Sequence, residues 1–330
     1  MQLASGVNQL PYLVCYLGFA SFAIATIARL AMWARLPMHV RWELYPVPHE
    51  PGARAEYGGS FMEEADWWTK PRVTSSLGSL KATIPEILLL SSVRAHNPRL
   101  WSRTFPFHLG LYMVAGAVGL ALLAGRVTAL APAWMAGVPA EAVRGGVMVL
   151  GGGGLALGAL GALGLLHHRL TLPALRLHTV PGDIFNLVFF ALTFGCALLT
   201  FLFVDRSADQ AMTFAANLAC FNLAPLPGSG LGWLMPMATV VLANALLVYI
   251  PITHMSHCVG KYFAYHAIRW NDDPNLAGGP QESGIGRVLA YPVSWPASHI
   301  QGGGKKTWIE LATEERERLP PRVPCGSGVV

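Results

Sequence analysis

The sequence predicts an all-α integral membrane protein, a bundle of five transmembrane helices with a long loop and a tail on one side. Three observations predict it. The 330-residue chain is 53% hydrophobic and only 12% charged, about half the charged fraction usual in a soluble domain. Five apolar runs are each long enough for the roughly 20 residues that cross a bilayer core. The charges are crowded between those runs rather than within them.

The first run spans about 10–33. It has no basic segment before it, is too long for a signal-peptide core and lacks a small-residue cleavage site, so it reads as a retained helix. The others lie at about 106–125, 145–166, 184–204 and 234–260. The third contains GGGGLALGALGALG (151–164). No Lys-Ser/Thr pair follows and no strand precedes it, which argues against a phosphate loop. Small residues at three- and four-residue spacing instead allow close helix packing.

Loop charge sets the orientation. Residues 34–104, 167–180 and the tail from 261 hold nineteen Lys and Arg, against three (Arg126, Arg144, Arg206) on the other side. The positive-inside rule puts the long loop and the C-terminal tail in the cytoplasm and the N-terminus outside. The expected location is the cell inner membrane, crossed several times. Trp33, Trp101, Trp134, Trp233 and Trp270 fall near the predicted interfaces, as an aromatic belt would. The organisation is then a first helix at 1–33, a cytoplasmic loop at 34–104, a four-helix bundle at 105–260 and a cytoplasmic tail at 261–330. Within the loop, RWELYPVPHE (41–50) should be extended, and SLKATIPEILLLSSVRAHN (79–97) should be a short amphipathic helix on the membrane or under a partner. The end of the tail is rich in Pro and Gly and should also be extended. The loop's nine basic and seven acidic residues suit protein docking better than a lipid-binding basic patch.

The pI near 9.0 reflects a net charge of only +5, and topology explains it better than nucleic-acid binding. The five cysteines (15, 196, 220, 258, 325) form no CxxC, CxxCH or zinc spacing. Covalent haem, an iron–sulfur cluster within the chain and a disulfide framework are therefore not expected. The cysteines read as small apolar fillers in helices.

Few of the eleven histidines enter apolar runs. An ionisable residue there is costly and marks a functional site by default. His108 lies at the start of the second run, and His254 and His257 lie in the last two turns of the fifth. On antiparallel helices these positions share one depth, near the cytoplasmic face. Two readings stand. Two imidazoles at equal depth suit a bis-histidine b-type haem, with iron between them. Alternatively, His108 bonds a backbone carbonyl and His254 or His257 caps a helix C-terminus, where cations are favoured. Zinc or copper is disfavoured, since no carboxylate or thiol accompanies the pair at ligand spacing. His167, His168 and His178 read as an ordinary polar loop, and His266 lies beyond the core.

Three motifs then carry a family resemblance: Phe107-His108-Leu109-Gly110; Arg169-Leu170 with Pro173, Arg176, Thr179 and Gly182-Asp183-Ile184; and Pro251 with His257 six residues on. The chain resembles the gamma subunit of respiratory nitrate reductase, a five-helix membrane cytochrome b. RWELYPVPHE, SFMEEADWW and YFAYHAIRWNDDP make it more similar still to the cytochrome b subunits of sulfate- and sulfite-reducer transmembrane redox complexes, such as the tetrahaem-cytochrome-linked type. The resemblance covers about 1–33 and 105–265.

The resemblance implies an oxidoreductase subunit of a respiratory chain. It would exchange electrons between menaquinone or menaquinol and a cytoplasmic iron–sulfur subunit of heterodisulfide-reductase-like type. A periplasmic multihaem cytochrome c is a further implied partner. His108 and His257 match the ligands of the haem nearer the cytoplasm. The outer-haem positions are Val118 and Thr239 here, so one haem b is expected, with quinone chemistry in the cytoplasmic half. Three roles stay open for His254: propionate contact, quinone protonation, or ligation in place of His257 with the register shifted by a turn. Arg103, Arg169, Arg176 and Lys261 stand near the level of the haem propionates, where ordinary positive-inside residues also stand. Pro251 should kink the fifth helix. A haem-free anchor of a redox complex is the alternative. A small transporter is disfavoured, because no inverted repeat or array of ion-binding charges is visible.

Overall fold

The computed structural model describes residues 2–36, 46–52, 54, 58–225, 229–293 and 304–314. The chain forms two compact units. One comprises residues 1–31 and 76–260, the other residues 32–75 and 261–330. Among the described residues every regular element is a helix, and Pro292 and Thr307 form one isolated bridge.

Among the described residues five helices are long and apolar enough to cross a membrane, which makes this a multi-pass membrane protein. The first is α1 (Gln2–Ala34). A shorter helix, α2 (Ser76–Leu88), precedes α3 (Pro98–Leu130), α4 (Val138–Thr171) and α5 (Pro181–Phe203). A second short helix, α6 (Asp209–Ala219), leads to the last long one, α7 (Leu231–Ile252).

The glycine run of α4 is packed from two sides. A Cβ at Gly154 would lie 2.9 Å from the Gly110 carbonyl of α3, and one at Gly161 would lie 2.6 Å from the Phe107 backbone. Toward α5, a Cβ at Gly158 would meet the Phe194 ring at 2.6 Å, and one at Gly152 the Phe201 ring at 2.6 Å. The glycines therefore place α4 against both neighbours at distances that no side chain would permit, which is how membrane helices gain packing energy. Phe107, Ala159, Ala162, Phe190, Phe194 and Leu246 form the buried core beside them. The Phe107 and Phe190 rings meet edge to face at 5.0 Å, a preferred aromatic geometry.

α1 is held by hydroxyls and an amide. Tyr12 donates to the Ala224 carbonyl at 2.8 Å and Tyr16 to the Leu218 carbonyl at 2.8 Å. Asn244 of α7 is buried and reaches Cys15 at 3.3 Å. Cys15 packs with Tyr12 and Leu218, as a small core residue would. The start of α6 is fixed by the buried Asp205 carboxylate, which accepts from the Gln210 and Ala211 amides at 3.1 and 2.8 Å.

Several elements differ from the expectation: α4 spans Val138–Thr171 rather than about 145–166 and takes in His167, His168 and Arg169, which were expected in a loop. The second long helix begins at Pro98, capped by Asn97, which accepts from the Leu100 amide at 3.0 Å. Pro106 lies inside it. The expected single helix over 79–97 is two, because Leu90 takes a left-handed backbone (φ 52°) and the Glu86 carboxylate bonds Ser91 and Ser92 at the start of Ser91–His96. The first of these, α2, docks on α3, where Trp101 donates to the Leu89 carbonyl and Tyr112 to the Ile87 carbonyl, both at 2.7 Å. The last long helix ends at Ile252, not near residue 260.

In the second unit, loop and tail fold together. Asp272, only 4% exposed, accepts from His49 at 2.6 Å and from Arg72 at 2.5 Å. Arg72 also pairs with Asp273. Trp270 is buried beside Tyr265 and His266. Lys70 and Arg54 beside Glu64 hold its carboxyl below the usual carboxylate range. Residues 41–45 and the Pro- and Gly-rich end of the tail lie outside the described residues, as do Cys325 and the side chain of Cys258.

Candidate functional site

The site begins with the end of α7. Pro251 has no amide hydrogen for the Leu247 carbonyl. Two residues on, Thr253 is extended (φ −117°, ψ −177°), and its hydroxyl bonds the Tyr249 carbonyl at 3.1 Å and caps Met255 at 3.3 Å. The helix breaks there. One 3₁₀ turn, His254–Ser256, leads into a new short helix, α8 (His257–Phe263). The two histidines therefore sit on different elements, not on successive turns of one helix.

His108 lies on α3 beside the aromatic core, its ring 5.3 Å from Phe107 and nearly perpendicular to it. Its Nδ1 donates to the Thr104 carbonyl at 2.8 Å. In the neutral imidazole that bond puts the lone pair on Nε2, the tautomer suited to metal ligation with an orienting second-shell bond. His257 faces it. The ring centroids are 6.2 Å apart and the planes cross at 68°. Two imidazoles bound to one metal between them, each nitrogen about 2.0–2.1 Å away, have centroids about 6.3 Å apart. The centroid spacing alone matches that value. No group of three or more His, Cys, Asp or Glu side chains is placed to hold an ion among the described residues. A porphyrin, which supplies four nitrogens itself, requires only two.

His254 has other partners. Its Nε2 is 3.0 Å from the Asn186 amide nitrogen and 3.9 Å from Asp183 Oδ1. Asn186 is buried, and its Oδ1 accepts from the Tyr249 hydroxyl at 2.6 Å. Asp183, near the start of α5, accepts from Arg169 at 3.1 Å and from the Val180 amide at 3.3 Å. Hydrogen bonds thus link Tyr249, Asn186 and His254, and Asp183 pairs with Arg169 beside them. Sequence reasoning singled out His254 and Arg169 but gave Asn186 and Tyr249 no role. The available signal was an amide and a phenol inside apolar runs, where polar groups need partners.

At the other end of the bundle, Thr239 bonds Thr200 at 2.8 Å and approaches Cys196 Sγ at 3.6 Å, while Val118 is exposed. Hydroxyl contacts join α5 and α7 where the resemblance locates an outer haem. Of the proposed propionate partners, Arg169 is engaged by Asp183, and Arg103 bonds the Arg99 carbonyl of its own helix at 2.7 Å. Arg176 is exposed on the single turn Pro173–Arg176. Lys261 lies over the Tyr265 ring in the second unit. No protein-family model matches the chain, and a search of the curated proteins returns no relative.

Proposed function

We propose that the protein is a b-type cytochrome subunit of a membrane redox complex. It exchanges electrons between menaquinol or menaquinone and a cytoplasmic iron–sulfur partner. The observation that carries this reading is the facing pair His108 and His257, with centroids 6.2 Å apart. These residues would hold one haem b through Nε2, and the Thr104 carbonyl fixes the His108 tautomer. When bound, the haem supplies one-electron chemistry. Val118 and Thr239, which carry no imidazole, support a single haem. Positive-inside charge supports a cytoplasmic location for the pair, for the 34–104 loop and for the tail. The folded loop–tail unit supplies a docking surface for the partner subunit, and a periplasmic multihaem cytochrome c would meet the opposite face.

The test is to mix oxidised purified protein with a soluble menaquinol analogue and follow the b-type absorption bands. Reduced bands should appear. A protein whose bands dithionite reduces but the quinol does not would contradict the quinol role. A protein without such bands, made with adequate haem supply, would leave the haem-free anchor. The His108–Thr104 bond is compatible with that second reading, since a structural histidine makes the same bond.

A further inference from the structure

The short helix α2 has its polarity reversed. Leu77, Leu80, Ile84, Ile87 and Leu88 recur at helical spacing, and all five are between 37% and 62% exposed. The polar side chains are the covered ones. Glu86 is 6% exposed and accepts from the Ser91 and Ser92 hydroxyls at 2.5 and 2.8 Å and from the Ser92 amide at 2.7 Å. Ser79 and Thr83 are half-buried, and Thr83 donates to the Ser79 carbonyl at 2.8 Å. A helix on a water-facing surface does the opposite: it covers its apolar stripe and exposes its polar face.

The position of α2 along the bundle says what covers that stripe. Beyond its last turn the chain is tied to α3, where Tyr112 donates to the Ile87 carbonyl and Trp101 to the Leu89 carbonyl. Tyr112 stands about 21 Å along α3 from Pro98, inside the apolar run 106–125. Its ring lies 6.4 Å from that of His108. Long side chains on a helix lean toward its N-terminus, so the Ile87 carbonyl lies near the level of His108, within the apolar stretch of α3. Thirteen residues make α2 about 20 Å long, too short to cross a bilayer. A helix that ends at that depth meets hydrocarbon. The stripe is aliphatic apart from Lys81, whereas the cores of protein interfaces are enriched in aromatic residues and Arg. Lys81 has a stem long enough to carry its ammonium out to the headgroups.

We propose that α2 is a membrane-dipping helix. Leu80, Ile84, Ile87 and Leu88 lie among the acyl chains of the leaflet at the His108 end of the bundle, and Lys81 reaches the lipid phosphates. This placement depends on neither haem nor quinone.

The test is photolabelling of the full chain in vesicles of phosphatidylcholine and phosphatidylglycerol, doped with a phosphatidylcholine that carries a diazirine on its acyl chain. Labelled residues are mapped by mass spectrometry, and the labelling is repeated in native membranes that carry the same acyl chain. Label is expected on Leu80, Ile84 and Leu88 and on the membrane-spanning α4 and α5, with little on Ser79 or Thr83. Ile84→Asp should lower the α2 label about tenfold while α4 and α5 keep theirs, and Ile84→Val should keep it. An unlabelled α2 in vesicles where α4 and α5 are labelled would overturn the proposal. Label that appears in vesicles but not in native membranes would place a partner protein on the stripe and overturn it too. Equal label on Ser79, Thr83 and Ile84 would mean that α2 has no lipid face, with the same consequence.

Discussion

His108 and His257 face each other with ring centroids 6.2 Å apart, from helices at opposite ends of the bundle's sequence. The approach has two local causes. The Thr104 carbonyl fixes the His108 ring, and the break at Thr253 starts a new helix at His257 instead of continuing α7.

The angle between those rings makes a spectroscopic prediction. If both histidines ligate a haem as proposed, imidazole planes crossed at 68° should give the oxidised protein a strongly anisotropic low-spin electron paramagnetic resonance signal. The rhombic signal of near-parallel imidazoles would show that the rings turn when haem binds.

Gly161 tests whether close packing positions His108. A Cβ there would sit 2.6 Å from the Phe107 backbone, one residue from the histidine, whereas Gly164 has open space. Gly161→Ala should cost about 1–3 kcal/mol of stability, the usual penalty for overpacking, and should lower haem retention. Gly164→Ala should do neither. Thermal unfolding in detergent and the haem-to-protein ratio measure both effects.

Gly18 and Asn244 should behave as a coupled pair. A Cβ at Gly18 would lie 2.2 Å from Asn244 Oδ1. Gly18→Ala should therefore destabilise the bundle, and Asn244→Ala in the same chain should restore part of the loss. Additive losses across the double-mutant cycle would contradict the contact.

Asp272 should hold loop to tail. Asp272→Ala removes bonds from His49 and Arg72 and should cost about 1.5–3 kcal/mol per charge-assisted bond at most. Limited proteolysis should cut residues 46–75 and 261–293 faster than in the parent chain, while α3 to α5 stay intact. Equal cleavage rates would show that the pairing is not needed.

Much of the fold was legible, because apolar length is the chief requirement of a membrane helix, and the glycine run announced close packing. Helix ends were less legible. Pro251 announced a kink, but the break falls at Thr253, whose hydroxyl and extended backbone end the helix, and hydropathy does not register such bonds. The split at Leu90 depends on the Glu86 carboxylate reaching Ser91 and Ser92, a local bond within an otherwise helical pattern. Likewise, His108 and His257 stood out as ionisable groups in apolar runs. Asn186 and Tyr249 did not, because their role depends on which helix faces meet, and a single sequence does not give that.

The haem-to-protein ratio of the purified chain, measured beside His108→Ala, His257→Ala and His254→Ala, tests the ligand pair most directly. One b-type haem per chain is expected for the parent protein and for His254→Ala, with none in the other two variants. Full haem in His108→Ala or His257→Ala, or its loss in His254→Ala alone, would contradict the assignment.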